Sequence, residues 1–254
     1  MLELRNLTKY YRNVPVVDHV CFEIRRGEVT GYLGPNGSGK STTVKMLVGL
    51  LEPTTGQILL DGRDIHEDLI AYKKQLGYVP EEAHVYSYLS GLEYLQLTAR
   101  LRCLPEADSD RKANELLRLF SLHPHRYTPI SAYSKGMKQR VLLSAALLHD
   151  PDFLVFDEPL SGLDIASALL FKHLLSELAL QGKAILYISH VLEVVERVCA
   201  KVIIIYKGRI MANDSVSNLS GLMKLPNLEA IFSELVQQDD MEQIARGIVD
   251  VMKG

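Results

Sequence analysis

Three stretches carry reactive residue types at spacings that core packing does not require. The first is GPNGSGKS, residues 34 to 41, which fits the pattern G-x-x-x-x-G-K-[ST]. Gly34, Gly37 and Gly39 permit backbone dihedrals closed to other residues and let N–H groups approach phosphate oxygens. Lys40 is placed to reach β and γ phosphates, and Ser41 to offer a hydroxyl to Mg²⁺. Pro35, Asn36 and Ser38 complete the loop and Thr42 follows it, so residues 34 to 42 are read together as nucleotide-binding. The second stretch is FLVFDEP, residues 153 to 159, an apolar run ending in two carboxylates. Asp157 then stands at the carboxyl edge of a sheet, where ligands of such sheets bind, and can hold Mg²⁺ through a bound water. Glu158 is placed to polarise or deprotonate an attacking water. The third is YSKGMKQR, residues 133 to 140, small polar residues and cations before the apolar run VLLSAALL. It reads as a helix start, whose unpaired N–H groups and partial positive charge attract anions.

The elements needed to position these residues are legible nearby. LELRNL (2 to 7), VCFEI (20 to 24), VTGYLG (29 to 34) and QILLDG (57 to 62) read as strands or strands entering turns, and STTVKMLVGLL (41 to 51) has helical spacing. Strand, glycine-rich loop and helix in that order form the βα unit of a nucleotide-binding sheet. A flexible glycine turn would not need that context. From about 90 to 149 the pattern is helical with no convincing strand: GLEYLQLTARLRCL, RKANELLRLFSL and KGMKQRVLLSAALLHD. Strands then return. FLVFDEP and AILYISH (184 to 190) are near-continuous apolar runs of the kind buried on both faces of a parallel sheet, with helical IASALLFKHLLSELALQ between them. VIIIY and RIMAN, flanking a Lys-Gly pair, read as a hairpin. The tail from 214 onward reads as mostly helical.

Bulk properties narrow the class. At 254 residues the chain suits one large α/β domain, or a core with a subdomain. A net charge of −3 argues against a dedicated nucleic-acid binder. The longest apolar runs, at 141 to 148 and 202 to 205, are too short to span a bilayer, and no charged-then-apolar leader opens the chain. Cys21, Cys103 and Cys199 are odd in number and lack metal-ligand spacing, so they are expected as free thiols in a reducing cytoplasm.

Taken in order, GPNGSGKS, YSKGM with KQR, FLVFDEP, SGLD at 161 to 164 and His190 closing AILYISH make the sequence resemble the ATP-binding subunit of ABC transporters, over residues 1 to about 213. The fold this implies is α/β: a P-loop NTPase core of mixed sheet with flanking helices, an N-terminal antiparallel β part, and a helical insert at about 85 to 150. Residues 214 to 254 form a mostly helical tail whose role is to regulate, to dimerise or to cap the sheet; capping is the default. The resemblance implies two cassettes clasping two ATP molecules head to tail. Ser134 and Gly136 would then meet the γ-phosphate held by the partner's loop, and Asp164 would link the halves. Tyr11 matches the aromatic that stacks on adenine, with Tyr10 as the neighbour it could be confused with. His190 matches a switch histidine at the γ-phosphate.

Two positions depart from the family pattern. Glu81, in GYVPEE, stands where the family usually has Gln. A carboxylate still suits Mg²⁺, so Glu81 is a candidate ligand; the other reading is an outward surface charge. In YSKGM, where LSGGQ is usual, Lys135 replaces the first glycine and Met137 the glutamine. Lys135 reads either as a cation at a phosphate site or as a solvated first-turn residue. The variant looks most like ATPases of bacterial exporters whose membrane part is a separate chain.

The implied function is an ATPase motor, coupled through the loop at 80 to 90 to integral membrane subunits. It would be cytoplasmic, at the inner face of the cell membrane, with ATP and Mg²⁺ as cofactors and a second cassette as partner. A soluble relative in metal-cluster assembly, or on ribosomes or nucleic acid, is the competing reading. A non-hydrolysing binding module is disfavoured because Lys40, Glu158 and His190 are all present.

Overall fold

The computed structural model describes residues 1–82, 84–236 and 249–252. Strands β1 (Leu2–Tyr11) and β2 (Val14–Ile24) form an antiparallel hairpin. Its two-residue turn places Arg12 and Asn13 at φ 45° and 67°, the left-handed pair that matches strand twist. Both strands are longer than LELRNL and VCFEI suggest, because Lys9–Tyr11 of β1 and Val14–Val17 of β2 pair with each other up to the turn. Strand β4 (Thr55–Leu60) pairs with β1, and the two-residue β5 (Arg63–Asp64) closes this four-stranded sheet in the order β2-β1-β4-β5.

The second sheet has six strands. It adds β3 (Val29–Leu33), β6 (Leu76–Val79), β7 (Phe153–Asp157), β8 (Ala184–Ile188), β9 (Lys201–Tyr206) and β10 (Arg209–Asp214), in the order β10-β9-β3-β8-β7-β6. All its pairings are parallel except the β9–β10 hairpin. Strands β3, β7 and β8 are buried along their whole length. Alternate residues serve different cores, as the two-residue period requires. Tyr32, Phe153, Val155, Leu186 and Ile203 pack toward the antiparallel sheet, helix α1 (Lys40–Leu47) and the short α2 (Leu69–Lys74). Leu33, Leu154, Phe156, Tyr187 and Ile204 pack toward the remaining helices.

Those helices include α3 (Gly91–Leu101), α4 (Glu106–Leu119) and α5 (Lys135–Leu147), which occupy the stretch read as helical, with two 3-10 turns at His123–His125 and Ile130–Ala132. Helix α3 starts at a full capping box: Ser90 Oγ accepts from Glu93 N–H, and the Glu93 carboxylate accepts from Ser90 N–H. Helices α6 (Ile165–Leu180) and α7 (Leu192–Val198) flank β8 in sequence. In the tail, α8 (Val216–Met223) and α9 (Leu228–Val236) are present, and Leu219, Leu228 and Ile231 are buried in the helical-side core. Residues 237–248 and 253–254 of the expected helical tail lie outside the described residues. Helix α1 is shorter than the 41–51 pattern, because the chain turns at Gly49 with φ +67°. No helix among the described residues is long and apolar enough to cross a membrane.

Candidate active site

Four neighbouring parallel strands end on the same edge and supply residues to a common cleft. The loop from Gly34 follows β3, Glu81 follows β6, Asp157 and Glu158 end β7, and His190 follows β8. The cleft has a volume of about 560 Å³ and is walled by Gly34, Pro35, Asn36, Gly37, Gly39, Lys40, Ser41, Thr42, Glu81, Asp157, Glu158 and His190. This edge is where open α/β sheets bind ligands.

The loop glycines have separate reasons to be glycine. A Cβ on Gly34 would fall 2.4 Å from the Ile205 carbonyl oxygen. Gly39 has φ +107° and caps α1, and a Cβ there would fall 2.6 Å from the Val16 carbonyl oxygen. Ser38 is buried beneath the loop rather than in the cleft wall, and its carbonyl accepts from Gly208 N–H at 2.9 Å. Thr43 anchors the helix start, donating to the Gly39 carbonyl at 3.0 Å and accepting from the Tyr32 hydroxyl at 3.1 Å. Lys40 Nζ donates to the Gly34 and Pro35 carbonyls at 2.6 and 3.0 Å, which curls the side chain over the loop. Burial holds its pKa below the ordinary lysine value, against the opposing pull of Glu158, Asp157 and Glu81.

Three carboxylates share the far wall. Asp157 is buried, and burial, reinforced by Glu81 and Glu158 and opposed by Lys40, pushes its pKa up to about 6. Glu158 sits at φ +47°, in the left-handed region where a non-glycine residue is uncommon. Its N–H donates to the Ile188 carbonyl at 3.0 Å. Its carboxylate accepts from Ser189 Oγ at 3.4 Å and lies 2.7 Å from His190 Nδ1. Among the described residues, no cluster of three or more His, Cys, Asp and Glu side chains forms a metal cage.

Tyr11, Ser134, Gly136 and Asp164 are not in the cleft wall. Tyr11 ends β1, exposed, with Lys9 Nζ 5.9 Å from its ring centre. Ser134 caps α5, accepting from Met137 N–H at 3.2 Å, and Asp164 caps α6, accepting from Ser167 N–H at 2.8 Å. That bond and a second from the Ser167 hydroxyl hold the Asp164 carboxyl below its ordinary pKa. These two exposed helix starts lie side by side: a Cβ on Gly136 would fall 2.6 Å from the Gly162 carbonyl oxygen.

The cleft wall also includes Val16, Ser189, Leu192 and Phe232. Ser189 could have been suspected as the neighbour of His190 at a strand end. Phe232 carries no sequence signal: it belongs to α9 in the tail and reaches the cleft only because α9 packs against α7.

A family model described as ABC transporter matches residues 17–161. The ABC transporter ATP-binding protein NatA of Bacillus subtilis (strain 168) is 34% identical over 236 residues, covering 92% of this chain and 93% of NatA. The linearmycin resistance ATP-binding protein LnrL of the same organism is 34% identical over 225 residues, covering 87% of this chain and 72% of LnrL. A solved structure of the ATP binding subunit of an ABC transporter aligns with a TM-score of 0.88 at 33% identity, covering 92% of this chain and 99% of that one. Similarity of this extent makes this chain a member of the ABC transporter family, as an ATP-binding subunit.

Proposed function

We propose that this ATPase drives export through separate integral membrane subunits, working as a head-to-tail dimer with a second copy or a close relative. The observation that carries the chemistry is the convergence of Lys40, Asp157, Glu158 and His190 at the ends of adjacent strands. In this reading residues 1–213 are the ATPase domain, with an insert at about 85–150, and 214–254 are an appended tail. The export direction draws on the YSKGMKQR variant and on the likeness to LnrL, a resistance protein.

The residue roles combine placement in the cleft, for the residues that wall it, with the family resemblance for Tyr11, Ser134, Gly136 and Asp164. The loop N–H groups and Lys40 cradle the phosphates, Lys40 giving up its two carbonyl partners to do so. Ser41 and Asp157, with Glu81 beside them, offer the hard oxygen donors that suit Mg²⁺, and an Asp157 carboxyl pushed toward neutrality first by burial, then by Glu81 and Glu158, marks a wall short of positive charge. When bound, that ion neutralises charge on the β and γ phosphates. Glu158 accepts a proton from the water that attacks the γ-phosphate in line, and His190 holds the Glu158 carboxylate in place. Ser134 and Gly136 complete the partner's site, with Asp164 alongside, and Tyr11 stacks on adenine.

The loop around 80–90, of which residue 83 lies outside the described residues, supplies exposed Tyr86 and Tyr88 next to Tyr94 for gripping a membrane-subunit helix. The test is a pull-down of tagged Glu158→Gln protein with ATP from gently solubilised membranes. A stoichiometric integral membrane chain supports the motor reading. Only soluble partners would favour a cluster-assembly or ribosome-associated ATPase instead.

A further inference from the structure

We propose that Lys135 is a positioning residue: it ties the start of α5 to the turn before α6, so that Ser134 and Asp164 meet a partner cassette as one unit. Lys135 Nζ donates to Ser161 Oγ at 2.7 Å. Its stem lies flat on Gly162, where an added Cβ would fall 2.9 Å from both Lys135 Cγ and Cδ. Gly162 has φ +79°, so this turn takes a backbone conformation that glycine tolerates and other residues resist. The next residue, Gly136, packs on the same turn, where an added Cβ would fall 2.6 Å from the Gly162 carbonyl oxygen. Lys135 is exposed, and its ammonium donates to a neutral hydroxyl in its own chain.

The geometry explains why a lysine is useful here. Ser134 and Asp164 cap two different helices, and each cap fixes its residue only to its own helix. The Gly136–Gly162 contact keeps the two starts adjacent, and the Lys135 bond adds a directional restraint between them. A single exposed hydrogen bond contributes little to folding stability. It can still set the relative placement of two groups that must engage a phosphate and a facing loop within fractions of an ångström. The proposal rests on the head-to-tail dimer read above, since only there do both segments face ligands.

Lys135→Met keeps the stem over Gly162 and removes the donor; Ser161→Ala removes the acceptor. Both positions are solvent-accessible, so both variants should fold. ATPase is measured for each, for the double variant and for Lys135→Arg, with kcat and KM separated. The tether predicts a threefold to tenfold fall in kcat for each single variant, with KM for ATP nearly unchanged because the cleft is untouched. It also predicts a double variant no worse than either single one, and partial recovery with Arg. A loss with Lys135→Met but none with Ser161→Ala would overturn the tether in favour of a free cation. Additive losses, or a rise in KM alone, would also overturn it. ATP-dependent dimerisation of Glu158→Gln protein, followed by light scattering, tests the underlying reading separately. If that protein stays monomeric, the dimer and the tether fall together; if it dimerises and the Lys135 and Ser161 variants keep full kcat, only the tether falls.

Discussion

Glu158 and His190 approach to 2.7 Å across the ends of β7 and β8, carboxylate oxygen to Nδ1. The pairing requires the imidazole to carry its proton on Nδ1, which leaves Nε2 facing outward on a side chain that is 78% exposed. Glu158 is the less exposed partner, at 12%, with its backbone in the left-handed region and its N–H donated to the Ile188 carbonyl. The positive φ and the two side-chain partners, Ser189 and His190, restrain the Glu158 carboxylate. Glu158→Gln is expected to cut ATP hydrolysis by about 100-fold or more while leaving ATP binding intact, so that ATP-bound dimers accumulate. Size-exclusion chromatography with and without ATP, alongside phosphate release, checks both halves. Normal hydrolysis by a monomeric variant would remove Glu158 from the mechanism.

Glu81 lies close enough to help push the Asp157 carboxyl upward, so it faces the cleft electrostatically although it is itself exposed. As an Mg²⁺ ligand its charge would strengthen metal binding. Glu81→Gln is then expected to raise the Mg²⁺ concentration for half-maximal ATPase by about threefold or more, roughly the weight of one partly screened charge. Titration of activity with Mg²⁺ at saturating ATP gives the answer, and an unchanged curve would return Glu81 to the status of a surface charge.

Tyr11 and Tyr10 end the same strand, both exposed, and only Tyr11 has a cation over its ring. Stacking of a base on an aromatic side chain is worth about 1–3 kcal/mol. Tyr11→Ala is expected to weaken ATP binding by about tenfold and Tyr10→Ala to leave it unchanged, as read by equilibrium titration with a fluorescent ATP analogue. The reverse ranking would assign the stacking role to Tyr10.

The loop and the strand-end carboxylates were legible because their chemistry depends on local sequence. Gly34 and Gly39 must be glycine where a Cβ would strike Ile205 or Val16, and Asp157 must end a fully buried strand. The short helices α2 and α7 were not legible. Each is only one or two turns long, with two or fewer buried residues, too few for a helical period to emerge. Phe232 and the Lys135–Ser161 bond were hidden for a different reason: each joins residues far apart in the chain, and no pattern within one segment encodes where a tail helix or a turn will dock.

His149 gives the molecule a pH dependence remote from the cleft. It follows α5, and its Nε2–H donates to the Leu76 carbonyl at 3.1 Å, while Arg102 donates to the same oxygen at 3.0 Å. Burial first, then the Arg102 charge, pushes its pKa down to about 4, against weaker opposing pulls from the Leu76 bond and Asp150; Lys183 adds a further small push downward. Between pH 4 and the ordinary value near 6.5, the unfolded chain binds a proton that the folded protein refuses. Stability must therefore fall as pH drops through that window and be fully present above it. Allowing for partial solvent access, the loss is about 2 kcal/mol by pH 4. Asp and Glu side chains elsewhere also titrate at the acid end, so the contribution is isolated by difference. His149→Gln keeps an N–H for Leu76 and removes the titration. Urea unfolding of both proteins at pH 7, 6, 5 and 4.5 should show the wild type losing stability faster than the variant from pH 6.5 downward. Parallel curves would mean that the His149 side chain is charged as readily in the folded protein as in the unfolded chain.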